Sequence, residues 1–174
     1  MLKPIILKLL AREERKLGAS LDYVRHILRT SLRAFFKFGK VLPLSEYRRV
    51  LPVDAHFTAR LVATRDEDCG SCVQIEVNLA RKAGMSAALL KSVLAQQPDD
   101  LPLDLANVYQ FAQAVVEARD DEDLRQKMRE RYGEEGLVEL ALAMAVCRLF
   151  PVVKRTLGYA KSCSLVEVSI DGAA

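Results

Sequence analysis

The chain has 174 residues, 51% of them hydrophobic and 28% charged, with a net charge of +3 and no tryptophan. That is the composition of one globular domain, long enough to bury a substantial single core without disulfide staples or a metal. Charge is unevenly spread: residues 1–60 hold 13 Lys/Arg against 5 Asp/Glu (+8), and residues 61–174 hold 13 against 18 (−5). A basic half suits nucleic acid, an anionic membrane, a solvated face, or contact with the acidic half of a neighbouring subunit. No helix-turn-helix spacing, finger or RNP-like aromatic pattern speaks for nucleic acid.

Leu, Ala, Val and Arg abound while aromatics make up only 6%, which favours helices over strands. The opening "MLKPIILKLLAREERK" predicts an amphipathic helix over 4–16. Lys8 interrupts its apolar run and no small-residue cleavage site follows, so no secretory signal is expected. A second helix is expected from Ser20 as N-cap, with apolar residues at 21, 24, 27, 28, 32, 35 and 36, ending near Gly39 and Pro43.

Pro52 and Asp54 open a third helix, which stops at the acidic "DED". A fourth runs from Cys69 to Ala83, with Gly84 as its closing residue, and Ser86 caps a fifth that ends before Pro98. Residues 103–119 and 122–132 give two more, the second punctuated by Gly133 or Gly136. A last long helix is predicted over 137–160 with a bend at Pro151. Its apolar stretch contains Glu139, Arg148 and Pro151, and reads as a buried helix rather than a membrane span. The tail "SLVEVSIDG" alternates, as a short strand or simply an extended segment would. The expected class is all-α, in a cytoplasmic protein.

The chemistry centres on "CGSC" at residues 69–72. A C-x-x-C pair without a secretion signal is usually redox-active or metal-binding. Zinc needs four ligands, and Cys147, Cys163, His26 and His56 are not spaced as a second pair, so no metal and no cofactor are expected. At a helix start the free amides and dipole favour a thiolate, with Asp68 a potential cap. The dipole contributes only about 0.3–1 kcal/mol, well under one pKa unit, and Asp66, Glu67 and Asp68 oppose it. Arg60 and Arg65 offset them if the preceding helix turns its basic side inward.

A dedicated proton acceptor is therefore required, and two residues qualify. Glu76 lies four residues after Cys72, on the same helical face; His56 lies on the preceding helix, which can pack antiparallel across the "DED" turn. Each of these taken alone reads as an ordinary surface or satisfied side chain. With the cysteine pair beside them, the two read as a relay. Cys147, flanked by "LAMAV" and "RLF", reads as a buried small hydrophobe, and Cys163 as incidental.

"CGSCVQIEVNLARKAGMS", then "LLKSVLA", "LANVYQFAQAVV" and "GLVELALAMAVCRL", resemble the alkylhydroperoxidase D and carboxymuconolactone decarboxylase superfamily, over roughly residues 50–160. The resemblance implies a helical domain over 49–162, preceded by a helical extension (1–48) and followed by a tail (163–174). It implies a homo-oligomer and, for members with the cysteine pair, a thiol-dependent peroxidase. In such a cycle one thiolate takes an oxygen from the peroxide, the partner closes a disulfide, and an external dithiol resets it.

Members without the pair include the decarboxylase, a lyase. The superfamily's peroxidase pattern has His four residues after the second cysteine and Glu about a dozen before the first. Here Glu76 stands at the first position and Phe57 at the second, with His56 adjacent. Either acid and imidazole have exchanged helices within a Glu–His–Cys relay, or the relay is lost. In the second case the domain is a weak relative, or a non-catalytic redox sensor or scaffold.

Helix position favours Cys69 as the attacking thiol. Proximity to Glu76 and the resemblance favour Cys72, and the assignment adopted is Cys72 as peroxidatic and Cys69 as resolving. An apolar pocket lined by Phe57, Leu61 and Val73 would suit a bulky alkyl peroxide.

Overall fold

The computed structural model describes residues 2–159 and 168–170. Among them the fold is all-helical: α1 (Leu2–Leu17), α2 (Asp22–Thr30), α3 (Leu32–Gly39), α4 (Leu42–Ser45), α5 (Val53–Asp66), α6 (Gly70–Lys82), α7 (Ala87–Leu94), a 3₁₀ turn (Pro98–Asp100), α8 (Leu103–Val116) and α9 (Glu122–Thr156).

The second expected helix is two. Ser31 adopts an extended conformation (φ −152°, ψ 111°), and its hydroxyl accepts from the Ala34 amide at 3.1 Å, capping α3. A serine that can satisfy an orphan amide competes with helix continuation. Ser86 caps α7 in the same way, accepting from Leu89 N at 3.2 Å. Ser86→Ala should lower stability by about 1 kcal/mol, read as a lower denaturant midpoint at unchanged slope. Asp68 is not a cap. It occupies a left-handed turn position (φ 48°) between α5 and α6, and Cys69 takes the N-cap place without a side-chain cap bond.

α5 is the central helix, packed against α6, α7, α8 and α9. Every residue from Ala55 to Thr64 is buried, polar ones included, so no apolar stripe marks a facing side. Around it lie Leu51, Leu61, Val77, Leu90, Val108, Met128 and Leu140. At Gly133 (φ 71°, ψ 179°) the backbone of α9 leaves helical geometry, a conformation glycine reaches at little cost; the helix then continues through Pro151 to Thr156. By length and composition α9 is apolar enough to cross a membrane, and 44% of its most apolar window is buried within this fold.

The N-terminal helices form a second cluster. Leu21, Tyr23 and Val24 pack with Phe38, Val153 and Leu157, and Tyr23, Phe38 and Phe150 make edge-on ring contacts at 6.1 and 6.0 Å. The extension thus covers the C-terminal end of α9. Between the two clusters, the fully buried Glu139 carboxylate accepts from the amides of Arg49 (2.7 Å), Val50 (3.0 Å) and Leu51 (3.0 Å). Burial raises the pKa of that carboxyl, but the three amides outweigh it and hold the group below its usual range. Most of the alternating tail, with Cys163, lies outside the described residues. At 168–170, the Gln74 side chain brackets the backbone of Ser169, donating to its carbonyl at 2.9 Å and accepting from its amide at 2.7 Å.

Candidate functional site

α5 ends at Asp66, the chain turns through Asp68, and α6 begins at Gly70, so the two helices form a short hairpin with Cys69 at its tip. Both cysteines are buried, and their sulfurs stand 3.0 Å apart, beyond the roughly 2.05 Å of an S–S bond. The pair is a dithiol sharing a proton. Cys72 is pushed above the usual thiol range, first by its hydrogen bond with Cys69 and then by burial, while Lys154 pulls it the other way. Two thiols this close titrate as a unit: one proton held between them is hard to remove once the other is gone.

The two sulfurs face different surroundings. Cys69 lines a cleft of about 540 Å³ with Gly70, Val73, Leu94, Ala95 and Ile170, and with Arg65, Asp68 and Lys91 as its charged residues. Cys72 is not among the cleft's lining residues, and Lys154 of α9 acts on it. Of the pocket residues expected from sequence, Val73 is present; Phe57 and Leu61 belong to the main core.

Lys154, near the end of α9, reaches the pair from that side. It is buried, donates to Ser71 Oγ at 3.0 Å, and its ammonium lies 5.2 Å from the centroid of the Tyr23 ring. Ser71 Oγ is in turn 3.7 Å from Cys69 Sγ. Sequence reasoning missed this lysine, whose one signal is a cation inside the apolar run "LFPVVK". The acidic turn is neutralised from the same helix and not by Arg60 or Arg65. Arg148 pairs with Asp66 (3.1 Å) and Glu67 (2.8 Å), and Arg155 with the Glu67 carboxylate (3.3 Å) and carbonyl (2.5 Å). The charge of Asp66 and Glu67 that would oppose a thiolate is thereby offset, while Asp68 stays on the cleft beside Cys69.

The Glu76–His56 relay is not assembled. Both carboxylate oxygens of Glu76 are taken by Arg60, whose Nε and Nη2 donate at 2.7 Å each, in an ion pair whose two side chains are only 3% and 5% exposed. Arg60 also bonds the Ser45 carbonyl and hydroxyl, tying α4 to the hairpin. Among the described residues no hydrogen bond joins His56 to Glu76 or to either cysteine.

The imidazole of His56 stacks edge-on against Phe57 at 5.2 Å, and its buried Nδ1 has no hydrogen-bond partner among the described residues. Burial, reinforced by Arg60 and Arg48 and opposed by Glu139, lowers its pKa to about 3, so the ring is neutral at ordinary pH. Cys147 is a core thiol, donating to the Met144 carbonyl at 3.2 Å and pushed up to about 12, chiefly by burial. Among the described residues no group of three or more His, Cys, Asp or Glu could hold a metal.

Fold and site together define an all-helical protein with a buried dithiol at a helix start, one sulfur on a cleft and the other beside a buried lysine. Comparison with protein-family models, with curated proteins and with solved structures finds no match to this chain.

Proposed function

We propose that the protein is a thiol-dependent oxidoreductase that reduces organic hydroperoxides or hydrogen peroxide through a disulfide cycle at Cys69 and Cys72. The observation that carries this reading is the pair itself: two sulfurs 3.0 Å apart at the start of α6, with Cys69 on a cleft that is largely apolar on one wall. The resemblance of residues 50–160 to the alkylhydroperoxidase D superfamily supports it, and with it a homo-oligomeric, cytoplasmic enzyme that draws its electrons from an external dithiol.

Because Cys69 lines the cleft, we give it the first attack, reversing the order that proximity to Glu76 and the resemblance suggested. The Cys69 thiolate attacks the outer peroxide oxygen; the O–O bond breaks, the alcohol leaves after taking a proton, and Cys69 becomes a sulfenic acid. Cys72 then attacks that sulfur, expelling water and closing the disulfide. An external dithiol reopens it, leaving as its own disulfide. Glu76 and His56 take no part, because one is held by Arg60 and the other is a neutral ring without a bond to the thiols.

The assignment is tested by trapping. After one equivalent of cumene hydroperoxide, Cys72→Ser should accumulate a sulfenic acid at Cys69, seen by mass spectrometry as a dimedone adduct. Cys69→Ser should show at least about tenfold less adduct at Cys72, since a buried thiol off the cleft meets the oxidant poorly. Adduct confined to Cys72 would restore the opposite order, and adduct at neither would remove the peroxidase reading.

A further inference from the structure

A buried lysine beside a dithiol has a cost that its neighbours must offset. An ammonium taken out of water requires an opposite charge or good acceptors. Among the described residues Lys154 has Ser71 Oγ at 3.0 Å and the face of Tyr23 at 5.2 Å, both of them neutral partners. The acidic residues of the adjoining turn, Asp66 and Glu67, are engaged by Arg148 and Arg155 and not by Lys154. The negative charge this site is built to receive is a sulfur's. From Lys154 the contacts run through Ser71 (3.0 Å) to Cys69 (3.7 Å) and on to Cys72 (3.0 Å), and the ammonium draws the Cys72 thiol toward its ionised form.

We propose that Lys154 is the counter-ion of the Cys72 thiolate, a charge brought from the far end of α9 that makes Cys72 a good leaving group when the disulfide is opened and a ready nucleophile when it closes. This inference rests on the disulfide cycle proposed above. In the opening step, a thiolate of the external dithiol attacks Cys69 Sγ and forms a mixed disulfide with it. The Cys69–Cys72 bond breaks, its electron pair goes to Cys72 Sγ, and the resulting thiolate lies beside the ammonium. The second thiol of the reductant then gives up its proton to Cys72 and attacks the mixed disulfide, freeing Cys69. Lys154 enters no bond change in this sequence; it stabilises the charge on the leaving sulfur, and a thiol of lower pKa leaves faster.

Among the described residues the titratable groups facing Lys154 are Cys72 and, through Ser71, Cys69 on α6, together with Tyr23 on α2; its neighbour on α9, Arg155, is turned to Glu67. Lys154 also clamps α2 to α9 through Tyr23, so a structural role has to be separated from an electrostatic one. The experiment measures, on the full chain, iodoacetamide alkylation of Cys69 and Cys72 peptide by peptide against pH, and the dithiol–disulfide equilibrium in glutathione buffers. It compares wild type with Lys154→Met, Lys154→Arg and Tyr23→Leu.

An opposite charge at this range lowers a thiol pKa by about 1–3 units. Lys154→Met should therefore move the alkylation midpoint up by at least about one unit and make the disulfide up to about tenfold harder to reduce at pH values above that midpoint, where the thiolate is populated. Lys154→Arg should restore most of both, while Tyr23→Leu leaves the midpoint in place. A Lys154→Met profile that superimposes on wild type, or a Tyr23→Leu profile shifted as far as Lys154→Met, overturns the assignment. Both readouts run without peroxide, so they separate from the function proposed above. A wild type inert to hydroperoxide defeats the peroxidase alone, and an unshifted Lys154→Met defeats the counter-ion alone.

Discussion

Glu76→Ala should cost the protein about 3–5 kcal/mol of stability, the usual cost of removing one member of a buried ion pair. The carboxylate is the bidentate partner of an Arg60 side chain that is itself almost wholly buried. Without it the guanidinium keeps the Ser45 contacts and the face of the Phe57 ring, and a charge without its counter-ion is left inside the hairpin. For a chain of this size the loss appears as a melting temperature lower by about 10 °C. Replacing both members, as Arg60→Met with Glu76→Leu, should recover most of it, since apolar side chains of similar volume substitute for a buried pair at little cost. The reactivity of Cys69 in the folded fraction should be unchanged. A Glu76→Ala variant that melts like wild type but oxidises slowly would make Glu76 a catalytic acid or base and would contradict the structural role given to it.

His56 carries the second large effect, which is felt in acid. Its folded pKa, about 3, lies below the value near 6.5 that the unfolded chain has, so the unfolded state binds a proton that the folded state refuses. The stabilising contribution is complete above about pH 6.5 and is lost progressively as pH falls toward 3, on the order of 4 kcal/mol over the whole interval. Glu139, also held below its ordinary range, adds a further loss only below about pH 4.5, where its unfolded counterpart begins to protonate.

His56→Leu removes the titrating group together with a buried ring nitrogen that has no partner among the described residues. The variant should match or exceed wild type in stability at pH 7, and its stability should stay flat between pH 6.5 and about 4.5 where wild type declines. Urea unfolding at half-unit steps of pH reads both. A decline unchanged in the variant would assign the acid sensitivity to another group.

Much of the helical layout is legible from spacing and punctuation. The i, i+3, i+4 recurrence, Pro52, Ser86, Gly84 and Gly133 place element ends that the structure shares to within a few residues. The break at Ser31 was not, because the apolar stripe runs unbroken across it and only the cap bond to Ala34 decides the matter. The environment of α5 was not legible either. A helix buried on all sides has no stripe, so neither the burial of Arg60 nor that of His56 follows from pattern.

Glu76 meets Arg60 instead of His56, a difference of a single helical turn. His56 and Arg60 are four residues apart on one face of α5, and pairing two antiparallel helices with Glu76 opposite one or the other differs by a slide of about 6 Å. Local sequence does not set that slide; the packing of α5 against α6, α8 and α9 does. Lys154 was harder still, since 83 residues separate it from its partner Ser71. Spacing rules reach one turn of a helix, whereas this contact depends on how α9 lies across the hairpin tip.

The most direct test of the account is single-turnover oxidation of the pre-reduced protein by cumene hydroperoxide, in wild type and His56→Leu, with disulfides mapped by mass spectrometry. The account predicts a Cys69–Cys72 disulfide formed at least about a hundredfold faster than the oxidation of a small free thiol at equal pH, a gain of about 3 kcal/mol in barrier. His56→Leu should proceed at the wild-type rate. Oxidation no faster than the free thiol would contradict the peroxidase, and a rate lost in folded His56→Leu would contradict a site that works without the imidazole.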